Sequence, residues 1–321
     1  MVDEALIRQA LQTPLEGSDF PELGRKYTGK VRDNYTTDDG RRYIITSDRV
    51  SAFDRVLGTL PLKGQLLQWV TDFWFKQTRA LVPNHVISVP DPNVMLTKEC
   101  RPLGAEMVVR GYITGVTSTS MWTHYSAGKR VFCGHTLPAG MRKDQRLERP
   151  LLTPSSKAPK GGHDVSMSRE ELIAAGAISA VDFDIAEELV MKLFAFGQAH
   201  CAKQGLILVD TKYELGKDQD GNICVIDEIH TPDSSRYWFA DSYQQRFAAG
   251  LAPESFDKEY LRRWLNEQGF SGDGPVPAIS DDIKVESIRR YIRACETVVG
   301  EPFVPNLDEP IARMRANLFP A

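Results

Sequence analysis

Between Gly205 and Trp238 two apolar runs flank a short polar turn, in GLILVDTKYELGKDQDGNICVIDEIHTPDSSRYW. No other segment restricts the fold as much. Ile207–Leu215 and Ile223–His230 read as strands, with apolar runs LILV and ICVI, and Asp220-Gly221 is a dipeptide suited to a two-residue hairpin. That register pairs Glu214 with Asp227 and Lys212 with Ile229. Side chains alternate along a strand, so Asp210, Lys212 and Glu214 share one face, with Asp227 beside them.

Two carboxylates facing each other across a sheet repel unless something compensates. A magnesium ion is the natural compensator, because it takes oxygen ligands and often combines one or two carboxylates with substrate phosphates. Lys212 is placed to meet phosphate oxygens or a neighbouring carboxylate. A surface hairpin with solvated charges is the competing reading. The apolar runs LILV and ICVI favour the edge of a buried sheet.

Elsewhere the pattern alternates short strands with amphipathic helices. Val2–Gln12 reads as a short helix, Arg42–Thr46 (RYIIT) as a strand, and Ser47–Asp54 (SDRVSAFD) as a polar loop. Gln65–Leu81 has Leu66, Trp69, Val70, Phe73 and Trp74 at helical spacing, which suits core packing better than a ligand platform. Ala105–Ile113 reads as a strand. Gly115–Gly128 is hydroxyl-rich, and Pro138–Asp164 is long, irregular and basic, as functional loops often are. Asp182–Lys203 is a helix with Ile185, Leu189, Leu193 and Phe196 on one face, Asp182 as cap and Gly205 at its end. Ile283–Val299 is another long helix.

The 321 residues suit one large or two ordinary domains. The net charge of −4 gives no reason to expect a nucleic-acid or membrane-surface partner, so anionic substrates need local basic clusters. Cys100, Cys133, Cys201, Cys224 and Cys295 lack metal or redox spacing and read as buried thiols of a cytoplasmic protein. The N-terminal segment does not resemble a secretory signal, and no run reaches the length of a membrane span.

Gly29-Lys30-Val31-Arg32 sets two cations beside a glycine that permits close backbone approach, an arrangement suited to polyphosphate though not a Walker A loop. Three further loops combine cations with hydroxyls. Arg110 leads into Thr114 and Thr117–Ser120, Lys157 and Lys160 lie in TPSSKAPK, and Arg236 follows Asp233-Ser234-Ser235. Such groups suit phosphate or carboxylate ligands. His230 borders the hairpin and reads as structural.

Taken together, GKVRDNY, SDRVSAFD, PLKGQLLQ, EMVVRGYITG, LTPSSKA, LILVDTKYELG and VIDEIHTPDSSRYW occur in this order over about residues 25–240. In that set and order the chain resembles the SAICAR synthetase family, in its longer, yeast-like branch. The resemblance implies an α+β fold, with a small kinase-like antiparallel β domain over residues 1–113. A larger ATP-grasp-like α+β domain follows over 114–321. It implies a ligase that joins 5-amino-1-(5-phosphoribosyl)imidazole-4-carboxylate to L-aspartate with ATP and Mg2+, as a monomer or small homo-oligomer.

The same resemblance implies residue roles. Gly29, Lys30, Val31 and Arg32 form the phosphate loop, and Glu106, Met107 and Val108 the adenine-side hinge. Glu214 and Asp227 are the metal ligands. Lys212, Lys30 and Asp210 sit at the reacting groups. Ser51, Asp54, Arg110, Ser120, Ser156, Lys157 and Arg236 contact substrate. The chain departs from the family at Val116, where a serine usually follows the glycine, so Ser120 is matched by counting back from Trp122. Thr28 stands where a basic residue often precedes the loop glycine.

An acyl phosphate on the ribotide carboxylate, attacked by the aspartate amine, is the implied route. A kinase stopping at phosphoryl transfer and a non-catalytic nucleotide-binding regulator are the rivals. The absence of HRD and DFG motifs speaks against a protein kinase, and Glu214 with Asp227 against a regulator.

Overall fold

A computed structural model describes residues 2–52, 55–157, 164–255, 259–270, 272 and 274–320. The Arg41–Thr46 strand, whose last three residues are buried, is the middle of a five-stranded antiparallel sheet. Its order is Arg25–Thr28, Arg32–Thr36, Arg41–Thr46, Val94–Lys98, Val86–Asp91. Helix Lys63–Thr78 packs against that central strand, with Leu66, Val70 and Trp74 fully buried. Trp69 and Phe73 pack at the core margin, so this aromatic stripe is core. Gly64 lets the helix start approach the sheet closely. A Cβ there would sit 2.3 Å from the Thr46 carbonyl oxygen.

The second sheet has seven strands, and its axis is the long strand Leu206–Lys217. Ala105–Ile113 pairs with its middle, placing Arg110 opposite Asp210. Ser235–Phe239 also pairs with it, placing Arg236 opposite Asp210. Gln145–Leu152 and Ser155–Ser156 pair with Ala105–Ile113. The segment read as irregular therefore holds two strands, the first paired through Gln145, Arg146, Leu151 and Leu152 with an irregularity between them. Helix Ala180–Lys203 covers this sheet through Phe183, Ala186, Val190, Leu193, Phe194 and Gly197. The buried face is rotated from the one expected, and Ile185 is exposed. Ser179 caps this helix, accepting the Asp182 amide at 3.1 Å, while the Asp182 carboxylate instead pairs with Lys217 at 2.8 Å.

Chain ends return to the first sheet. Helix Asp281–Val299 packs on Lys63–Thr78 and on the N-terminal helix Glu4–Ala10, and Pro310–Leu318 packs on Val86–Asp91. The fold is α+β, with antiparallel sheets and helices on their outer faces. Among the described residues no helix is long and apolar enough to cross a membrane.

The hairpin after Leu206–Lys217 differs from the expected register by one residue. Glu214 pairs with Ile226, not Asp227, and Gly216 with Cys224. The cause is a longer turn over residues 219–221. Asp218 bonds Asn222 through the backbone at 3.0 Å, and its Oδ1 accepts the Asp220 and Asn222 amides. Gly221, at φ +83°, completes the loop. A one-residue slip sends alternate side chains to the opposite face. Here the strand ends at Ile226, and Asp227 adopts φ 66°, which breaks the alternation. A second difference lies at Ser47–Asp54, where Arg49–Ala52 pairs with Arg55–Thr59 as a two-stranded ribbon.

Candidate functional site

A cleft of about 730 Å³ lies between the two sheets, lined by both Glu214 and Asp227. The left-handed backbone at Asp227 thus restores the convergence that the shifted register would have removed. Basic side chains Lys30, Arg32, Arg42, Lys98, Lys157 and Lys212 outnumber the acidic Glu214, Asp227, Glu228 and Asp233 along its described walls. That balance suits a polyanion.

One wall is the glycine loop. The Gly29 amide donates to the Arg32 carbonyl at 2.8 Å, closing the turn. Arg49 pins it from behind, donating to the carbonyls of Lys30 at 3.0 Å and Gly29 at 3.2 Å and to buried Asp33 at 2.9 Å. Gly29, Lys30 and Val31 line the cleft with Ser51. Arg32 spans it, with Nη1 2.9 Å from Asp227 and Nη2 bonded to Glu228.

On the opposite wall, Lys212 donates to Glu106 at 2.9 Å and to Glu214 at 2.8 Å, and Lys157 also bonds Glu214. Burial pushes the Glu214 carboxyl up, but Lys212 and Lys157 outweigh this and hold it at about 2. Asp227 goes the other way. Burial, with Glu214 and Glu228 nearby, pushes it up to about 6 despite Arg32. Burial opposes the Lys212 charge, yet Glu214, Glu106 and Asp227 raise its pKa overall.

Glu214, Asp227 and Glu228 are oxygen donors of the kind a hard divalent cation takes, each paired here with Lys157, Lys212 or Arg32. Among the described residues no three His, Cys, Asp or Glu side chains form a cation cage of their own. Such an ion would therefore need phosphate oxygens and water to complete its shell, the usual habit of magnesium.

A second cleft of about 560 Å³ adjoins the first, and Asp233 lines both. Asp210 lies on its wall between two guanidiniums, 3.3 Å from Arg110 Nη1 and 3.4 Å from Arg236 Nη1. Arg110 is buried, and is further held by the Thr153 hydroxyl at 2.8 Å and the Thr119 carbonyl at 3.1 Å. Burial, and then Arg236, lower its pKa although Asp210 opposes this. Arg236 Nη1 is buried and makes no well-formed hydrogen bond, although it lies in ion-pair range of Asp210. Lys143, Arg263 and Arg290 add positive charge to this cleft.

Several expected residues sit elsewhere. Ser120 is buried and bonds Thr117, lining neither cleft. Thr117 and Val116 line the second cleft instead. Ser156 bonds the Val165 amide at 3.2 Å. Met107 is fully buried and the Val108 carbonyl accepts the Thr153 amide at 2.7 Å, so this strand is paired along both edges. Asp54 and Lys160 lie outside the described residues. His230 is buried and bonds the Tyr213 hydroxyl at 2.5 Å, a structural position. All five cysteines are free thiols, and only Cys133 is not fully buried. Sequence reasoning missed Lys63 and Asp233, an ion pair at 2.8 Å. The signal was a lysine at the start of an amphipathic helix, within PLKGQLLQ.

The profile of the SAICAR synthetase family matches residues 25–277, most of the chain. The chain belongs to the SAICAR synthetase family. Membership makes it an ATP-dependent ligase of purine biosynthesis that produces SAICAR. It is 48% identical over 283 residues to a phosphoribosylaminoimidazole-succinocarboxamide synthase of Legionella pneumophila (strain Paris), covering 88% of this chain and 90% of that one. An Arabidopsis thaliana relative, named as the chloroplastic enzyme, is 47% identical over 281 residues, covering 87% of this chain and 68% of that one. The solved SAICAR synthase of Saccharomyces cerevisiae complexed with SAICAR superposes with a TM-score of 0.78 at 29% identity. It covers 91% of this chain and all of that one.

Proposed function

We propose that the first cleft binds ATP with Mg2+ and the second binds the imidazole ribotide carboxylate, with L-aspartate entering where the two meet. The observation that carries this reading is the shared wall: two cation-lined clefts adjoin at Asp233. Phosphoryl donor and acceptor can therefore lie side by side.

The chemistry follows from the groups present. A carboxylate is a poor electrophile. An oxygen of the ribotide carboxylate attacks the γ-phosphorus, the bond to the β-phosphate oxygen breaks, and ADP leaves from an acyl phosphate. The neutral amine of aspartate then attacks the acyl carbon, the carbon–oxygen bond breaks, and phosphate departs with its electron pair and takes up the proton the amine loses. Lys30 and Lys212 offset negative charge on the phosphates. Glu214 and Asp227 would hold a magnesium ion, which would offset the negative charge of the phosphate oxygens. Arg110, buried and lining neither cleft, braces Asp210, which with Arg236 faces the ribotide in the second cleft, so positioning supplies much of the rate. Ser51, Lys157, Ser156 and Ser120 complete or support the loops around the substrates.

We read the chain as two units meeting at these clefts, taken from the sequence as 1–113 and 114–321, although the strand Ala105–Ile113 hydrogen-bonds in the second sheet and helices Asp281–Val299 and Pro310–Leu318 pack on the first unit. The substrates are small molecules, without nucleic-acid or membrane partners. The enzyme works in the cytoplasm as a monomer or small homo-oligomer.

The test is direct. The protein is incubated with ATP, magnesium, the ribotide carboxylate and L-aspartate, and the succinyl adduct is sought by mass. Formation of the adduct with stoichiometric ADP is expected. ADP release that does not depend on aspartate would overturn the reading in favour of a kinase.

A further inference from the structure

Cys100 Sγ and Cys224 Sγ lie 3.5 Å apart, although 124 positions separate them in the chain. Cys100 follows the strand Val94–Lys98 of the first sheet, and Cys224 belongs to the strand Ile223–Ile226 of the second. With Ile226 the two thiols form a small buried cluster of their own. A missing side chain lets them meet. Cys224 pairs with Gly216 across the hairpin. A Cβ on Gly216 would sit 3.0 Å from the Cys100 Cβ and 3.3 Å from Ile226 Cδ1, so glycine leaves the space that the thiols share. Closing 3.5 Å to the roughly 2.05 Å of a disulfide asks for about 1.5 Å of movement, divided between two side chains.

The two sulfurs are not equivalent. Cys100 and Ile226 line the first cleft, whereas Cys224 lines neither cleft. A small solute in the first cleft therefore meets Cys100 first. The hydrogen bond with Cys224 lowers the pKa of Cys100 against the effect of burial, and the same bond, with burial, raises that of Cys224. Cys133 is the more exposed thiol, but burial pushes it up to about 12. The thiolate is the reactive form, so Cys100 is the attacking sulfur and Cys224 the resolving one.

We propose that Cys100 and Cys224 are a redox modification site, a thiol pair that hydroperoxides close to a disulfide between the two sheets. Cys100 Sγ attacks a peroxide oxygen, the oxygen–oxygen bond breaks, and the hydroxide released takes the Cys100 proton. Cys224 Sγ then attacks the resulting sulfenic sulfur, the sulfur–oxygen bond breaks, and hydroxide leaves with the Cys224 proton. Two thiols are oxidised and one peroxide is reduced to two waters. In a reducing compartment such a bond is transient and reports on oxidant. It joins the chain leaving the first sheet to the strand that ends one residue before Asp227. Drawing Cys100 toward the hairpin shifts the wall it lines, so the oxidised enzyme binds ATP more weakly. This last consequence rests on the nucleotide reading of the first cleft.

The test exposes the folded full-length chain to hydrogen peroxide and maps its peptides without reduction. A peptide pair joined at Cys100 and Cys224, and released by dithiothreitol, is expected. The ATP KM should rise about threefold or more on oxidation and return with dithiothreitol, with the ribotide KM within about twofold. In Cys224→Ser, Cys100 should stop at the sulfenic acid, which dimedone labels. Reaction at Cys133 ahead of Cys100, or no linkage between 100 and 224, overturns the site. A linkage that leaves the ATP KM unchanged overturns its effect on the cleft. A wild-type protein that forms no succinyl adduct overturns the ligase reading, while the linkage is still read by mass, which separates the two failures.

Discussion

Arg32 Nη1 lies 2.9 Å from Asp227 Oδ1, tying the glycine loop of the first sheet to the end of the hairpin in the second. The same guanidinium bonds Glu228, so one cation neutralises two acids across the cleft. Removing it leaves two partly buried carboxylates without their counter-charge. Arg32→Met should therefore destabilise the protein by about 2–3 kcal/mol. Urea unfolding of both proteins checks this, and an unchanged midpoint would show the two sheets held together without this bridge.

Asp227→Asn keeps the shape of the side chain and the Arg32–Glu228 bond while removing one negative charge from the candidate cation site. Turnover should fall on the order of a hundredfold with the thermal midpoint nearly unchanged. Steady-state rates at saturating substrates, together with a melting curve, separate this outcome from simple unfolding.

Arg110 uses Nε, Nη1 and Nη2 toward Thr153, Asp210 and the Thr119 carbonyl. A lysine cannot reproduce that planar fork. Arg110→Lys should raise the ribotide KM by about tenfold or more while the ATP KM stays close to wild type. An equal rise for ATP would mean that the second cleft does not hold the ribotide.

How much of this was legible beforehand follows from the range of each signal. The strand Arg41–Thr46 and the helix Ala180–Lys203 announce themselves locally, through a β-prone run after the Asp39-Gly40 turn and a period of about 3.6 residues. Convergence of Glu214 and Asp227 was legible too, but for an incomplete reason. The Asp218 side chain, by accepting two turn amides, lengthens the loop and slips the register, and the left-handed Asp227 brings the carboxylate back. Neither effect has a periodic signature. Lys63 and Asp233 are 170 residues apart, so nothing local announces their pairing. The placement of Ser120 behind Thr117 was equally hidden, since counting along a hydroxyl-rich loop does not say which hydroxyl faces outward.

Two buried imidazoles set an acid limit on stability. Burial, and then Arg42 and Arg32, hold His85 at about 3; burial, and then His200, hold His230 at about 3. Both are ordinary histidines near 6.5 when unfolded. The unfolded chain therefore takes up protons that the folded one refuses, and stability falls as pH drops below about 6.5. The loss is about 2–3 kcal/mol per imidazole by pH 4.5. Asp48 and Asp227 act in the opposite sense, because burial pushes each up to about 6, so their contribution is present at low pH and lost as pH rises through about 6. The imidazole shifts are the larger ones, and His85→Gln should make the decline below pH 6.5 visibly shallower in denaturant titrations. A slope unchanged by that substitution would place the acid sensitivity elsewhere.

The most direct test of the account is an anomalous difference map from crystals grown with Mn2+, a non-hydrolysable ATP analogue and the ribotide. A manganese peak about 2.0–2.3 Å from carboxylate oxygens of both Glu214 and Asp227, bridging to nucleotide phosphates, is the predicted result. A nucleotide bound with its metal away from these two side chains would contradict it.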